Sequence, residues 1–227
     1  MRAYSTKLCV IFGGGGHAKV LIDSLQAANS ELSLVILDSD RSRWGQQVMN
    51  VPILGDESLL PQLLKDGAKF FVAAVGGVGD NEPRKRLFEY GISVGLEPLT
   101  VKHPASICSP WAEIGPGCQL LPGSVVNSGA VLGRNVIINS GAIVEHDCRI
   151  GDHVHIASGA VLASTVTVGT GAHIGCGAAV RQLISVGEGA TVGAGAVVIN
   201  DVPPRTLAVG LPARPTKVSK RKQDSSA

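Results

Sequence analysis

The sequence predicts two unlike parts: a small α/β domain with a parallel sheet, then a parallel β-helix wound in three-sided coils. Three observations carry this. Strand-like and helix-like segments alternate through the first hundred residues. An aliphatic residue recurs every six positions from Ile114 to Val198, and a glycine every eighteen, at Gly115, Gly133, Gly151, Gly169 and Gly187. At 227 residues the chain can bury two cores, but only 4% of it is aromatic, so those cores must be built from Val, Ile, Leu and Ala.

The front part reads in order as a strand in "KLCVIF", a turn in "GGGG", a helix in "HAKVLIDSLQAAN" and a strand in "LSLVILD". After "VPILGD" come a helix in "SLLPQLLKDG", a strand in "KFFVAAVG" and a helix in "NEPRKRLFEYG". Such alternation builds a small parallel sheet, Rossmann-like in kind. A strand that enters glycines and then a helix turns backbone N–H groups toward one point, an anion site. Gly13, Gly15 and Ala18 satisfy the G-x-G-x-x-A dinucleotide pattern, with Asp38 twenty residues beyond Ala18. The domain has room for half a dinucleotide fold, which suits a mononucleotide joined to a sugar better than NAD. A glycine turn without a ligand is the alternative.

In the second part, stepping by six from Ile114 through Leu120 and Val126 to Val198 meets fifteen aliphatic residues without an insertion. Two residues ahead of each lies a mostly small one, such as Ala112, Cys118, Ala130 or Cys148. Neither a helical period nor hairpin spacing fits. Three six-residue sides close one coil, fifteen sides give five, and stacked coils pair as parallel strands about 4.8 Å apart. The eighteen-residue glycines mark corners of unusual backbone angle. Cys118 and Cys148 occupy the small inward slot and are packing residues. The boundaries are 1–102 for the front domain, 103–202 for the coils, 203–216 for a C-terminal cap and 217–227 for a disordered basic tail.

Bulk properties exclude several classes. A net charge of +2 does not suggest a nucleic-acid binder, and the basic excess lies in the tail "RPTKVSKRKQ". Nothing reads as a signal peptide or a membrane span. Five scattered cysteines without a CxxC pair favour a reducing cytoplasm.

With the coil, "GGGGHAKV", "LDSD", "AAVGG…NEPRKRL", "HPASICSP" and the closing "VGLPAR" together, the chain resembles the sialic acid O-acetyltransferase and UDP-4-amino-sugar N-acetyltransferase family of hexapeptide-repeat acyltransferases. The resemblance covers nearly the whole chain. It implies a left-handed coil, a homotrimer with sites between protomers, and acetyl-CoA as co-substrate with no metal. It implies that Gly15, Gly16, His17, Asp38, Ser39 and Gly76 hold a nucleotide-sugar. It marks His155, Cys176 and Ala194 for the cofactor, Cys176 through its backbone rather than its thiol.

Acetyl transfer from a thioester requires a base for the incoming amine or hydroxyl, and histidine titrates in the useful range. In "VEHDCRIGDHVHIASG", His146 is followed by an acid. Asp147 stands where the family places an orienting carboxylate, with Glu145 as the alternative partner. Ser164, one coil above His146, is the candidate backbone donor for the developing oxyanion. His155 lies nine residues, half a circuit, past His146, so the two face opposite sides of one protomer and meet only across a subunit boundary. His153 and His173 read as exposed or interface residues, and His103 as structural. Four readings compete: N-acetylation of a nucleotide-linked 4-amino-sugar, O-acetylation of a sialic acid, and, from other classes, a γ-type carbonic anhydrase with three convergent histidines and a non-catalytic nucleotide-sugar sensor.

Overall fold

The computed structural model describes residues 7–77 and 79–216; the basic tail, 217–227, lies outside the described residues. The front domain runs β1 (Leu8–Phe12), α1 (Gly16–Ala27), β2 (Ser33–Leu37), β3 (Gln47–Val48), β4 (Val51–Gly55), α2 (Leu60–Lys65), β5 (Ala68–Ala73), α3 (Glu82–Ser93) and β6 (Glu97–Pro98). Its sheet has the order β3-β4-β2-β1-β5-β6, antiparallel only where β3 meets β4. The unbroken apolar run of β1 follows from its central place. Cys9 and Ile11 pack with Leu21 and Ile22 of α1, while Leu8, Val10 and Phe12 pack with Leu60, Leu63 and Phe88 on the other side.

The second part is a three-sided prism of parallel two-residue strands. The first face holds strands starting at Val101, Gln119, Ile137, His155, His173, Thr191 and Leu207. The second face runs from Ile107–Cys108 to Val197–Val198, and the third from Glu113–Ile114 to Ser185–Val186. The pairing offset is eighteen residues, as in Val126↔Val144 and Val144↔Leu162. The predicted aliphatic positions form one continuous core, with Cys118 and Cys148 fully buried in it.

Two expectations are corrected. The prism begins one partial coil before Ile114, because Val101–Lys102 and Ile107–Cys108 already pair with the next coil. Lys102 breaks the aliphatic series, which hid that turn from the six-residue count. The eighteen-residue glycines are also not the corners of unusual angle. Positive φ falls instead at Gly141 (+65°), Gly159 (+67°), Asp147 (+61°) and His153 (+60°), among others. Gly115, Gly133, Gly151, Gly169 and Gly187 are small because the coils touch there. A Cβ on Gly151 would stand 2.7 Å from the backbone nitrogen of Thr170 in the next coil.

The front domain covers the first face. Outward-pointing Val101, Gln119, Ile137, His155 and His173 are all buried. Arg84 of α3, fully buried, donates from Nη1 to Asn135 O and from Nη2 to His153 O (2.8 Å), the same corner on successive coils. Asn81 donates to Gly171 O (3.1 Å) and Ala172 O (3.0 Å), one coil further. Burial lowers the Arg84 pKa to about 10, so it stays charged at neutral pH and binds carbonyls instead of a carboxylate.

The two kinds of glycine should respond differently. Gly151→Ala, which forces coils apart, should cost about 2–3 kcal/mol. Gly159→Ala, with positive φ but nothing within 4 Å of a new Cβ, should cost about 1 kcal/mol. Chemical denaturation followed by circular dichroism measures both, and the reverse ranking would refute the close-contact account.

Candidate active site

β1 runs into Gly13, whose φ of +99° suits glycine, and α1 starts at Gly16. Gly15 caps α1 without any side-chain hydrogen bond, so the first-turn N–H groups stay open. At the end of β2, Asp38 Oδ2 accepts from Gly14 N–H (2.6 Å) and Oδ1 from Asp40 N–H (2.9 Å). The carboxylate thus fixes the glycine loop. Gly15, Gly16, His17, Asp38, Ser39 and Gly76 all line one pocket of about 490 Å³ at this point. Sequence reasoning missed three charged members, Asp40, Arg43 and Glu57. Arg43 lies with Nε 3.6 Å from Asp40 and Nη1 3.8 Å from Asp38, and Glu57 lines the wall. Asp40 caps and Arg43 ends one short 3-10 turn, Arg41–Arg43, and Glu57 begins another, Glu57–Leu59, too short to leave a periodic signal.

His146 and Asp147 occupy the corner between the second and third faces. His146 is half-exposed, and its Nδ1 lies 2.8 Å from Asp147 Oδ2. Aspartate reaches because it takes the left-handed backbone at φ +61°, a conformation that Asp tolerates. Gly129, one coil below, supplies the room, since a Cβ there would meet Asp147 Oδ1. A carboxylate only accepts, so Nδ1 carries the proton and Nε2 presents a lone pair outward. Glu145 Oε2 accepts from Asn127 Nδ2 (2.9 Å) and from the backbone N–H of His146 (3.3 Å). One coil above, Ser164 gives its carbonyl to Leu183 N–H (3.2 Å), while Thr165 N–H takes His146 O (3.0 Å).

Cys176 and Ala194 stack at the corner between the first and second faces, both exposed, joined by Gly195 N–H to Cys176 O at 2.8 Å. His155 stands beside that corner, buried on the first face. Its Nδ1 donates to Gly77 O (3.2 Å) and its Nε2 accepts from Asn139 Nδ2 (3.1 Å), so within the chain both ring nitrogens are engaged. The His173 ring packs against it edge-on, 4.9 Å between centroids. Burial, then the charges of His173 and Arg84, lower the His155 pKa to about 3. His146 and His155 therefore do not meet within one chain. His153 and His173 are buried at the junction with the front domain, and His103 Nδ1 accepts from Ala105 N–H (3.0 Å). Among the described residues, no group of three or more His, Cys, Asp or Glu is placed to hold a metal.

With this geometry in place, the likenesses can be weighed. Residues 9–90 match the family model for the PglD N-terminal domain. Residues 112–146 and 129–164 match the bacterial transferase hexapeptide (six repeats). The solved structure of PerB from Caulobacter crescentus, in complex with CoA and GDP-perosamine, is 36% identical over 95% of this chain and 100% of that one, with a TM-score of 0.88. The chain belongs to the hexapeptide-repeat acyltransferase family. A second member, the acetyltransferase domain of PglB from Neisseria gonorrhoeae in complex with acetyl coenzyme A, is 36% identical over 92% of this chain and 99% of that one, TM-score 0.85. WeeI from Acinetobacter baumannii, 24% identical over 92% of this chain and 100% of that one with a TM-score of 0.78, shares the fold. No curated protein sequence matches. Family membership makes the prism a left-handed β-helix and excludes a carbonic anhydrase as the reading of its histidines.

The buried histidines set a pH dependence. The His155 pKa is lowered from the ordinary 6.5 to about 3, so between those values the unfolded chain binds more protons and stability falls as pH falls. His155→Gln should flatten the slope of unfolding free energy against pH between 6 and 4 by about 1.4 kcal/mol per pH unit. Denaturant titrations across that range read it directly, and parallel slopes would remove His155 as a source.

Proposed function

We propose that the chain is an acetyl-CoA-dependent N-acetyltransferase acting on a nucleotide-linked amino-sugar, of the 4-amino-4,6-dideoxy type, in surface-glycan biosynthesis. The observation that carries this reading is that one chain holds both halves of such a site. An open helix N-terminus lined by Asp38 suits a nucleoside diphosphate, and a half-exposed His–carboxylate pair suits proton removal. PerB, solved with CoA and GDP-perosamine, matches it across both domains.

In this reading His146 Nε2 takes the proton as the sugar nitrogen attacks the thioester carbonyl, and Asp147 holds the ring and stabilises the imidazolium. Collapse of the tetrahedral adduct breaks the C–S bond and releases CoA as the thiol, which carries that proton away. The backbone at Ser164 faces the oxygen on which charge develops. The pantetheine arm runs along the exposed main chain of Cys176 and Ala194, with His155 steadying that corner through Asn139. The free cysteines support a reducing, cytoplasmic setting, and no helix among the described residues is long and apolar enough to cross a membrane.

The two corners flank the second face, whose outward row is Ile107, Val125, Ile143, Val161, Ala179 and Val197. This row is aliphatic throughout and exposed or only partly buried, whereas the third face carries Glu113, Val131, Arg149, Thr167 and Ser185 in the same row. Threefold packing of second faces buries the ladder and brings the His146 corner of one protomer to the Cys176 corner of the next.

An acetyl-CoA consumption assay over UDP- and GDP-linked amino-sugars and free sialic acid tests the substrate class, and turnover on sialic acid alone would overturn it. His146→Ala should lower kcat by about 10²–10⁴, and unchanged turnover would take His146 out of the role of base. Val161→Glu on the ladder should give monomers that lose acetyl transfer and still bind GDP or UDP. An active monomer in sedimentation would refute the shared site.

A further inference from the structure

Gln119 occupies a slot that is Val101 one coil below and Ile137 one coil above, and it is fully buried beneath the front domain. A buried amide in an aliphatic row is costly unless every polar atom is matched. Here both ends are. Nε2 donates to Ala73 O at 2.9 Å, at the end of β5, and Oε1 lies 2.7 Å from His17 Nε2, at the start of α1. The carbonyl of Ala73 can only accept, which fixes the amide's orientation. Oε1 must then face His17, so His17 Nε2 carries the hydrogen. Burial pushes the His17 pKa below the ordinary imidazole range, opposed by the Gln119 bond and reinforced by the charge of Arg84. The ring is thus neutral, and Nδ1 keeps its lone pair. That atom faces the pocket beside Gly76, where a Cβ would lie 3.7 Å from it.

We propose that Gln119 is a positioning residue that holds His17 as the Nε2–H tautomer, so that Nδ1 meets the ligand as an acceptor for a hydroxyl. The claim rests on reading the glycine-loop pocket as the nucleotide-sugar site. It divides the labour at the head of α1. Open backbone N–H groups of the first turn take the diphosphate oxygens. The neutral ring, with no hydrogen to offer into the pocket, rejects phosphate and selects a ribose or sugar hydroxyl. Were the ring flipped in tautomer or charged, Nδ1 would be a donor and the hydroxyl would lose its partner.

The experiment is long-range ¹H–¹⁵N correlation on histidine-labelled full-length protein, with the His17 signals identified by their loss in His17→Asn. The expected spectrum shows a protonated Nε2 and a bare Nδ1, and a protonated Nδ1 overturns the proposal without any variant. In Gln119→Met, close in shape and free of hydrogen bonds, the tautomers should mix. KM for the nucleotide-sugar should then rise by the inverse of the Nε2–H fraction that the spectrum reads, about twofold for an even mixture, with kcat unchanged. Mixed tautomers with unchanged KM would show that Nδ1 touches no substrate, and equal loss of kcat and KM would mark a merely structural residue. Calorimetry of the wild type with GDP and with UDP separates the two claims. The predicted tautomer with neither nucleotide bound would sink the reading of the pocket, and with it the hydroxyl contact, while leaving the tautomer itself measured.

Discussion

The whole arrangement depends on parallel pairing of coils at an offset of eighteen residues. Each two-residue strand is held by its neighbours above and below, and each corner hands a backbone N–H to the coil beneath, as Thr165 does to His146 and Asp147 to Ser128. A residue's place on the prism is therefore fixed by its number modulo eighteen. His146, Ser164 and Ser128 share a corner because they are eighteen apart, as Cys176 and Ala194 share another. Shifting the register by one residue would turn the inward Val, Ile and Leu outward and scatter the site. The constraint that stabilises the coil is thus the one that aligns the chemistry. Small residues at the close contacts, Gly151 among them, let the coils approach closely enough to pair.

The front domain depends on the same regularity. Asn135, His153 and Gly171 present carbonyls at one corner on three successive coils, an evenly spaced ladder of acceptors. Arg84 spans two rungs and Asn81 takes the next, so the domain docks on the backbone of the repeat, and the side chains of Gln119 and His155 add bonds to Ala73 O, His17 and Gly77 O. The segment 74–77 lies between the two parts. It lines the glycine-loop pocket with Gly76 and lays Gly77 O on His155. Pocket and prism are in hydrogen-bonded contact.

How much of this the sequence disclosed follows from what each feature requires. The coil was legible because its core needs an aliphatic residue at every sixth position, a demand that side chains alone satisfy. Where Lys102 and Cys108 fill that register, the signal lapses although the pairing continues. The glycine loop and Asp38 were legible because a tight turn and an acceptor at a strand end tolerate few residue types. The meaning of the eighteen-residue glycines was not, since close approach and left-handed backbone both ask for glycine, and only coordinates separate them. Arg84, Asn81 and Gln119 gave no signal. Their partners are main-chain carbonyls or a residue a hundred positions away, and neither leaves a trace in local pattern.

His146 and His155 are nine residues apart in a short stretch rich in histidine, yet the prism gives them opposite chemistry. His155 is roofed by the front domain, and with Arg84 and His173 close by its charged form is suppressed to about pH 3. It serves as a fixed donor and acceptor, Nδ1 to Gly77 O and Nε2 from Asn139. His146 stands half in solvent with the Asp147 carboxylate at Nδ1. The two rings thus differ in access: His155 is closed off by the front domain and His146 is open to solvent. The ground of that difference is the face each occupies: a face covered by the front domain desolvates its histidine, and an open corner leaves its histidine in contact with solvent.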